Sequence, residues 1–263
     1  MKYLGGKQRL GKHLAVILKQ YIDKSVTKYD IKTYMEPFCG ALGVLQNMTD
    51  ISLNIIASDY HPDLIEMWQA VKAGTLNPPD SVSEETYLHY KLNIESPHAL
   101  KGFFGFGSSF GGRYYACYAQ KYVKNKKENF CLEAKHSVER KRPLIQNVSF
   151  KCKDYTKLTP NNQFIYCDPP YRNTKHPIKY RRDVKHYDVF DSDAFWVIMR
   201  EWSKTNVVII SELTAPDDFI EIWHKEKTRT ACQSTKTRFK NALPSEAPAV
   251  TEKLFIHERY ADL

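Results

Sequence analysis

Asp168-Pro169-Pro170-Tyr171 comes directly after the apolar run Phe164-Ile165-Tyr166-Cys167. The run reads as a short buried strand, and the paired prolines stop it abruptly, because proline lacks the N–H that a ladder needs. An acid, two rigid residues and an aromatic ring therefore stand at a strand's carboxyl end, where open α/β sheets bind ligands. With φ restricted at both prolines and no N–H on Pro170, the carbonyls of Asp168 and Pro169 are held without a ladder partner. Methyl transfer to an exocyclic amine requires such a set: a carboxylate and a carbonyl to accept two hydrogens, and a ring on which a base can stack. Alone, the tetrapeptide also reads as a proline turn closing a strand, with Asp168 capping the next segment.

A second constellation lies earlier. Glu36-Pro37-Phe38-Cys39-Gly40 sits where a sheet of this kind holds a nucleoside. Gly40 permits close backbone approach, and a helix predicted from about Ala41 to Met48 presents unpaired N–H groups at its positive end. Asp59 lies nineteen residues beyond Gly40, at the end of the next predicted strand. From there an acid accepts hydrogen bonds from ribose hydroxyls. Gly5-Gly6-Lys7 adds a flexible backbone and a cation that could grip a ligand carboxylate, or else a solvated terminus. No G-x-x-x-x-G-K-[ST] phosphate loop is present, which disfavours ATP. The cluster from Gly105 to Gly112 has the wrong spacing for a dinucleotide fingerprint and reads as a loop of an insertion.

These residues need elements to position them. Leu10, Leu14, Ile17, Leu18 and Tyr21 recur at helical spacing, predicting a helix from about Arg9 to Ile22. Strands are expected to end near Glu36, over Ser52 to Ala57, over Val148 to Cys152, over Phe164 to Cys167, over Val207 to Ile210 and over Lys253 to His257. Helices are expected over Pro62 to Ala73 and from about Asp193 to Ser203. Strands alternating with helices imply α/β architecture with a mostly parallel sheet covered on both faces. Between about Asn77 and Arg142, prolines, glycines, aromatics and basic residues replace that alternation. A catalytic domain over 1–76 and 143–263, interrupted by an insertion over 77–142, is the expected organisation.

The chain has 263 residues, with 39 Lys and Arg against 30 Asp and Glu, a net charge of +9 that suits a polyanionic partner. Six cysteines lie scattered without a C-x-x-C pair and read as reduced structural thiols. No Cys/His cluster indicates a metal site. With no signal-peptide core and no run of membrane-spanning length, the expectation is a soluble intracellular protein without a membrane partner.

Taken together, these residues resemble the Dam-like (D12 class) DNA adenine-N6 methyltransferases of bacteria, phages and large viruses, in the α-group motif order. Tyr3-Leu4-Gly5-Gly6-Lys7 is similar to the family's aromatic-x-Gly-Gly-Lys element, with tyrosine where tryptophan is frequent. Glu36 to Gly40 is similar to its glycine motif, although Leu42 stands where a second glycine often occurs. Ala57-Ser58-Asp59 with Pro62-Asp63-Leu64-Ile65 looks like the ribose-binding element, and Asp168 to Tyr171 like the catalytic loop. Ser211-Glu212, Ala215 to Phe219 and Glu252 to Ile256 also look like parts of a subgroup.

The resemblance implies a Rossmann-like S-adenosylmethionine-dependent methyltransferase sheet with an inserted target-recognition subdomain. It implies that Tyr3, Gly6, Lys7, Glu36, Pro37, Phe38, Gly40, Asp59, Tyr60, Asp154, Tyr155 and Asp168 line the cofactor site. Asp168, Pro169, Pro170 and Tyr171 would form the catalytic loop, with S-adenosylhomocysteine as product and no metal. The partner implied is double-stranded DNA, whose target adenine is flipped out of the stack. Lys2 and, from the insertion, Arg113, Tyr114, Lys124 and Lys126, followed by Arg140, Lys141 and Arg142, are expected to contact it. Arg172, Lys175, Lys179 and Arg181, after the catalytic loop, are expected to form a second place of contact. A cognate restriction endonuclease, the oligomeric state (monomer or weak dimer) and the recognition sequence stay open, GATC being the first to test. So does the compartment: cytoplasm or nucleoid, or a host cell for a phage or viral protein. Rival readings are an N4-cytosine DNA or RNA amino-methyltransferase, and a non-catalytic DNA-binding relative.

Overall fold

Apolar periodicity and local capping set most of the elements seen in the computed structural model, which describes residues 1–120, 122–123, 126–171, 190–227 and 250–263. Helix α1 (Gly11–Tyr29) buries Leu14, Ala15, Leu18 and Ile22 and stops where Asp30 turns left-handed at φ 54°. It runs two turns past the predicted end near Ile22. Its buried face continues through Ser25, whose hydroxyl donates to the Tyr21 carbonyl, so a polar residue hides the periodicity.

Strands β1 (Thr33–Glu36) and β2 (Asn54–Asp59) pair in parallel, and α2 (Pro62–Ala73) comes next with His61 as its cap and Gly74 as its stop. The helix expected from about Ala41 to Met48 does not form. Gly40 and Leu42 both take positive φ, 46° and 57°, which breaks any right-handed run, and only a single 3-10 turn, Leu45–Asn47, remains.

Helices α3 (Glu84–Asn93) and α4 (Ala99–Gly107), the short hairpin of β3 (Tyr122–Val123) and β4 (Lys126–Lys127), and α5 (Phe130–Lys141) occupy the stretch between 77 and 142. None of these contributes to the main sheet. Gly105 and Gly107 belong to α4, correcting the expected loop. A Cβ at Gly102 would fall 2.1 Å from the Asp63 carbonyl oxygen, and one at Gly105 would fall 2.4 Å from the Tyr114 ring. The glycines of α4 serve close packing against its neighbours, not a turn. Asp63, nearly inaccessible on α2, accepts from Ser96 Oγ at 2.7 Å, from the His98 amide at 2.8 Å and from the Tyr114 hydroxyl.

The remaining elements are β5 (Val148–Cys152), β6 (Phe164–Cys167), α6 (Ser192–Trp202), β7 (Val207–Glu212), β8 (Phe219–Lys227) and β9 (Val250–His257). Among the described residues, seven strands form one mixed sheet in the order β5-β2-β1-β6-β7-β9-β8. The first five are parallel, whereas β9 runs antiparallel to both β7 and β8. Strand β8 has no counterpart among the predicted strands. Among the described residues it lies at the sheet's edge, and it carries His224-Lys225-Glu226-Lys227 and a bulge between Glu221 and Trp223, so neither alternation nor apolarity marks it.

Both sheet faces are covered. Tyr34, Phe164, Tyr166, Val207, Ile209, Leu254 and Ile256 pack with α1, α2 and α4 on one side. Met35, Ile165, Cys167, Val208, Ile210 and Phe255 pack with Phe195, Trp196, Met199 and Trp202 of α6 on the other. Successive residues of each strand thus feed opposite cores, as a pleated strand requires. No described helix is long and apolar enough to cross a membrane.

Candidate active site

In the sheet order, β1 stands between β2 and β6, so the chain leaves β1 toward one side and returns through β6 on the other. Loops from the carboxyl ends of β1 and β6 diverge at that switch point and leave a crevice, the usual ligand position in such sheets. Glu36 to Gly40 leaves β1 there, Asp168 to Tyr171 leaves β6, and Asp59 closes β2. Because β9 is antiparallel, its amino end, with Glu252, reaches the same edge.

The Gly40 loop and Asp59 are joined directly. The Gly40 amide donates to Asp59 Oδ2 and the His61 amide to Oδ1, both at 3.1 Å, while Trp68 Nε1 donates to the Gly40 carbonyl at 2.9 Å. A side chain at Gly40 would meet the Tyr3 ring at 2.9 Å, besides being strained at φ 46°. Burial raises the Asp59 carboxyl to about 6, against the lowering effect of its amide donors. Burial likewise raises Glu36 to about 8, and its carboxyl accepts from the Tyr34 hydroxyl at 2.6 Å.

Lys7 comes from the opposite end of the sequence. Its carbonyl accepts from the amides of Leu10 and Gly11, at 3.0 and 2.6 Å, fixing it at the start of α1. Its backbone lies against Gly43, where an added Cβ would sit 3.0 Å from it. The ammonium, almost wholly buried, is 2.5 Å from Asp168 Oδ1 and 3.3 Å from Glu252 Oε1, and it lies over the Tyr171 ring at 4.6 Å. Burial alone would lower the Lys7 pKa, but the two carboxyls outweigh it and the net shift is upward. The Tyr171 hydroxyl donates to Glu252 Oε1 and lies 3.1 Å from Ser211 Oγ, which donates to the same oxygen at 2.5 Å.

Aromatic rings form a wall beside the Gly40 loop. Phe38 lies 5.0 Å from Tyr155, 6.2 Å from Phe190 and 6.0 Å from Phe195 between ring centroids. Asp154 turns inward on its own loop, accepting from the Thr156 amide at 2.9 Å and its hydroxyl at 2.7 Å. Tyr60 stands out at 58% exposure beside Asp59, Pro37 is buried, and Gly6 donates its amide to the Tyr3 carbonyl.

The edge therefore unites Lys7, Glu36, Gly40, Asp59, Asp168 and Tyr171. It also brings in Glu252 and Ser211, to which the sequence alone assigns no individual role. The available signal is an acid two residues before Leu254 on an otherwise apolar face of a strand. The site fits S-adenosylmethionine on its own chemistry. Among the described residues, the carboxyls of Asp59, Asp168 and Glu252 gather with one lysine, Lys7, which suits a sulfonium and an amino group; Asp59 offers acceptor oxygens, and Phe38 and Tyr155 offer a face for an adenine. Among the described residues, no group of three His, Cys, Asp or Glu is placed to hold a metal ion.

Lys2 and Arg113 are both exposed and come together, since Gly112 abuts the Lys2 backbone so closely that a Cβ there would fall 2.4 Å from its carbonyl carbon. Lys2 also pairs with Glu133 at 3.1 Å. Tyr114 spends its hydroxyl on Asp63 and its ring on His61 and Phe106. Lys141 is buried with its ammonium on Ser137 Oγ at 3.2 Å, and burial lowers its pKa to about 8. Lys126 lies on β4. Lys124, Arg172, Lys175, Lys179 and Arg181 lie outside the described residues.

Residues 3–99 match the family model of the D12 class N6 adenine-specific DNA methyltransferases. The match takes in Lys7, Gly40 and Asp59; Asp168 and Glu252 lie beyond it. No curated protein matches the chain. Among solved structures, two of the rRNA methyltransferase aviRa from Streptomyces viridochromogenes align at 12% and 11% identity over 94% of this chain and 84% of that one. Their TM-score of 0.36 is too low to bear on chemistry or substrate.

Proposed function

We propose that this protein is an S-adenosylmethionine-dependent methyltransferase acting on N6 of adenine in double-stranded DNA. The observation that carries the reading is the position of Asp168. It sits at the carboxyl end of β6 beside the β1 switch point, held by Lys7 at 2.5 Å, next to Tyr171 and alongside the Gly40–Asp59 cradle. The family match over residues 3–99 supports the same chemistry.

Asp59 accepts from the ribose hydroxyls, the Gly40 loop admits the nucleoside without a side chain in the way, and Phe38 with Tyr155 packs on its base. When bound, S-adenosylmethionine supplies a methyl group made electrophilic by its positive sulfur. The target adenine must leave the duplex stack to reach it. Tyr171 then stacks on the extruded ring while Asp168 and the Pro169 carbonyl accept the N6 hydrogens. That pairing directs the N6 lone pair at the methyl carbon in line, so the N–C bond forms as the C–S bond breaks. S-adenosylhomocysteine departs and one N6 proton goes to solvent. No cysteine acts as nucleophile; Cys167 beside the loop packs its sulfur 3.7 Å from that of Met199.

The test is incubation of labelled S-adenosylmethionine with the protein and duplex DNA, RNA or neither, with the modified base identified afterwards. Label in N6-methyladenine of DNA is expected. Asp168→Ala should lower turnover by about 100-fold or more while S-adenosylhomocysteine still binds by calorimetry. Transfer by that variant at the unaltered rate would remove the mechanism.

A further inference from the structure

We propose that Glu252, working with Ser211, is a positioning residue that sets the Tyr171 ring and the Lys7 ammonium for methyl transfer. The proposal rests on the methyltransferase reading of the site. Glu252 is fully buried, on the same face of β9 as the core residues Leu254 and Ile256. An acid in that position is expensive to bury unless donors surround it. Among the described residues, three converge on its Oε1: the Lys7 ammonium at 3.3 Å, the Ser211 hydroxyl at 2.5 Å and the Tyr171 hydroxyl.

This convergence acts on two groups. Tyr171 is held at both ends, by the rigid Pro169-Pro170 backbone on one side and by its hydroxyl on the other. Its ring is thus fixed as a platform before a base arrives. Lys7 in turn is shared between Asp168 and Glu252. When amine hydrogens of the target compete for Asp168, the buried ammonium keeps Glu252 as a partner, and Asp168 can turn to the substrate without stranding a charge. An antiparallel return strand therefore supplies a group to chemistry carried by the parallel part of the sheet.

The experiment is a double-mutant cycle of Glu252→Gln and Tyr171→Phe, read by single-turnover methyl transfer to duplex DNA. Glu252→Gln should slow transfer by about 10- to 100-fold, the scale of a misplaced reacting group. Tyr171→Phe keeps the ring but loses the tether, so the double variant should be little slower than the slower single. A group that only stabilises the fold would act additively and mainly through the melting temperature. A substrate-free readout accompanies the kinetics: with tyrosine labelled at Cζ, the Tyr171 resonance, assigned by its loss in Tyr171→Phe, should shift in Glu252→Gln. An unchanged transfer rate in Glu252→Gln, or additive effects in the cycle, would overturn the proposal. If Glu252→Gln does not fold, Ser211→Ala takes its place with the same expected non-additivity toward Tyr171→Phe. Wild-type protein that methylates neither DNA nor RNA would overturn the enzymatic reading instead, a result separable from the others because it appears in the unaltered chain.

Discussion

Asp59 shows how a single side chain couples the fold to the proposed cofactor. Burial pushes its carboxyl from 3.8 to about 6, the His61 and Gly40 amides pull it back in part, and Asp154 adds to the rise. Below about pH 6 the group is protonated and loses acceptor capacity toward a ribose. S-adenosylhomocysteine affinity should therefore fall as pH drops from about 7 to about 5, by up to about tenfold for one proton, and calorimetry across that range measures it. Asp59→Asn should bind weakly with no such trend. The contribution of Asp59 to stability runs the other way. A raised native pKa means the folded protein holds the extra proton between about 4 and 6, so that contribution is full at low pH and lost as pH rises through about 6. Opposite slopes for affinity and stability separate ligand contact from a general acid transition. The Gly40–Asp59 spacing was readable in the chain, because consecutive strand ends of one parallel sheet meet at its edge. The charge state of Asp59 was not readable, because it depends on how deeply the loops bury it.

At the scale of elements, the approach of α1 to the loop after β1 positions Lys7. A Cβ on Gly11 would fall 1.9 Å from the Gly43 carbonyl oxygen. Helix propensity alone would favour alanine there by up to about 1 kcal/mol, yet Gly11→Ala should destabilise the protein by about 1–3 kcal/mol, since backbone cannot yield as a side-chain tip can. Urea unfolding checks the sign, and an unchanged or raised midpoint would mean that α1 docks more loosely. Most elements were legible because their apolar residues repeat at the strand or helix period. The predicted α2 and β5 match the observed bounds, Pro62–Ala73 and Val148–Cys152. The predicted helix after Gly40 failed because Leu42 adopts a left-handed conformation that only its surroundings impose. Strand β8 escaped because one paired edge suffices to make a strand that is otherwise half charged.

Across the whole molecule, the excess of 39 basic over 30 acidic residues suits a phosphate backbone, and exposed Lys2 and Arg113 stand on adjoining stretches of backbone. Duplex binding, measured by fluorescence anisotropy, should weaken by about 100-fold or more between roughly 50 and 200 mM salt through counterion release. An essentially flat response would count against a DNA surface built on these charges. The amino-acid order by itself determined the alternation of strands and helices, the strand whose end carries Asp168 and the spacing of Gly40 from Asp59, because local periodicity and proline chemistry act within short stretches. Only tertiary structure decided that Ser211 and Glu252 join Lys7 and Tyr171 beside Asp168. Their meeting depends on an antiparallel strand returning between β7 and β8 and on a helix start docked against a glycine loop, and such long-range convergence leaves no periodic trace in a chain.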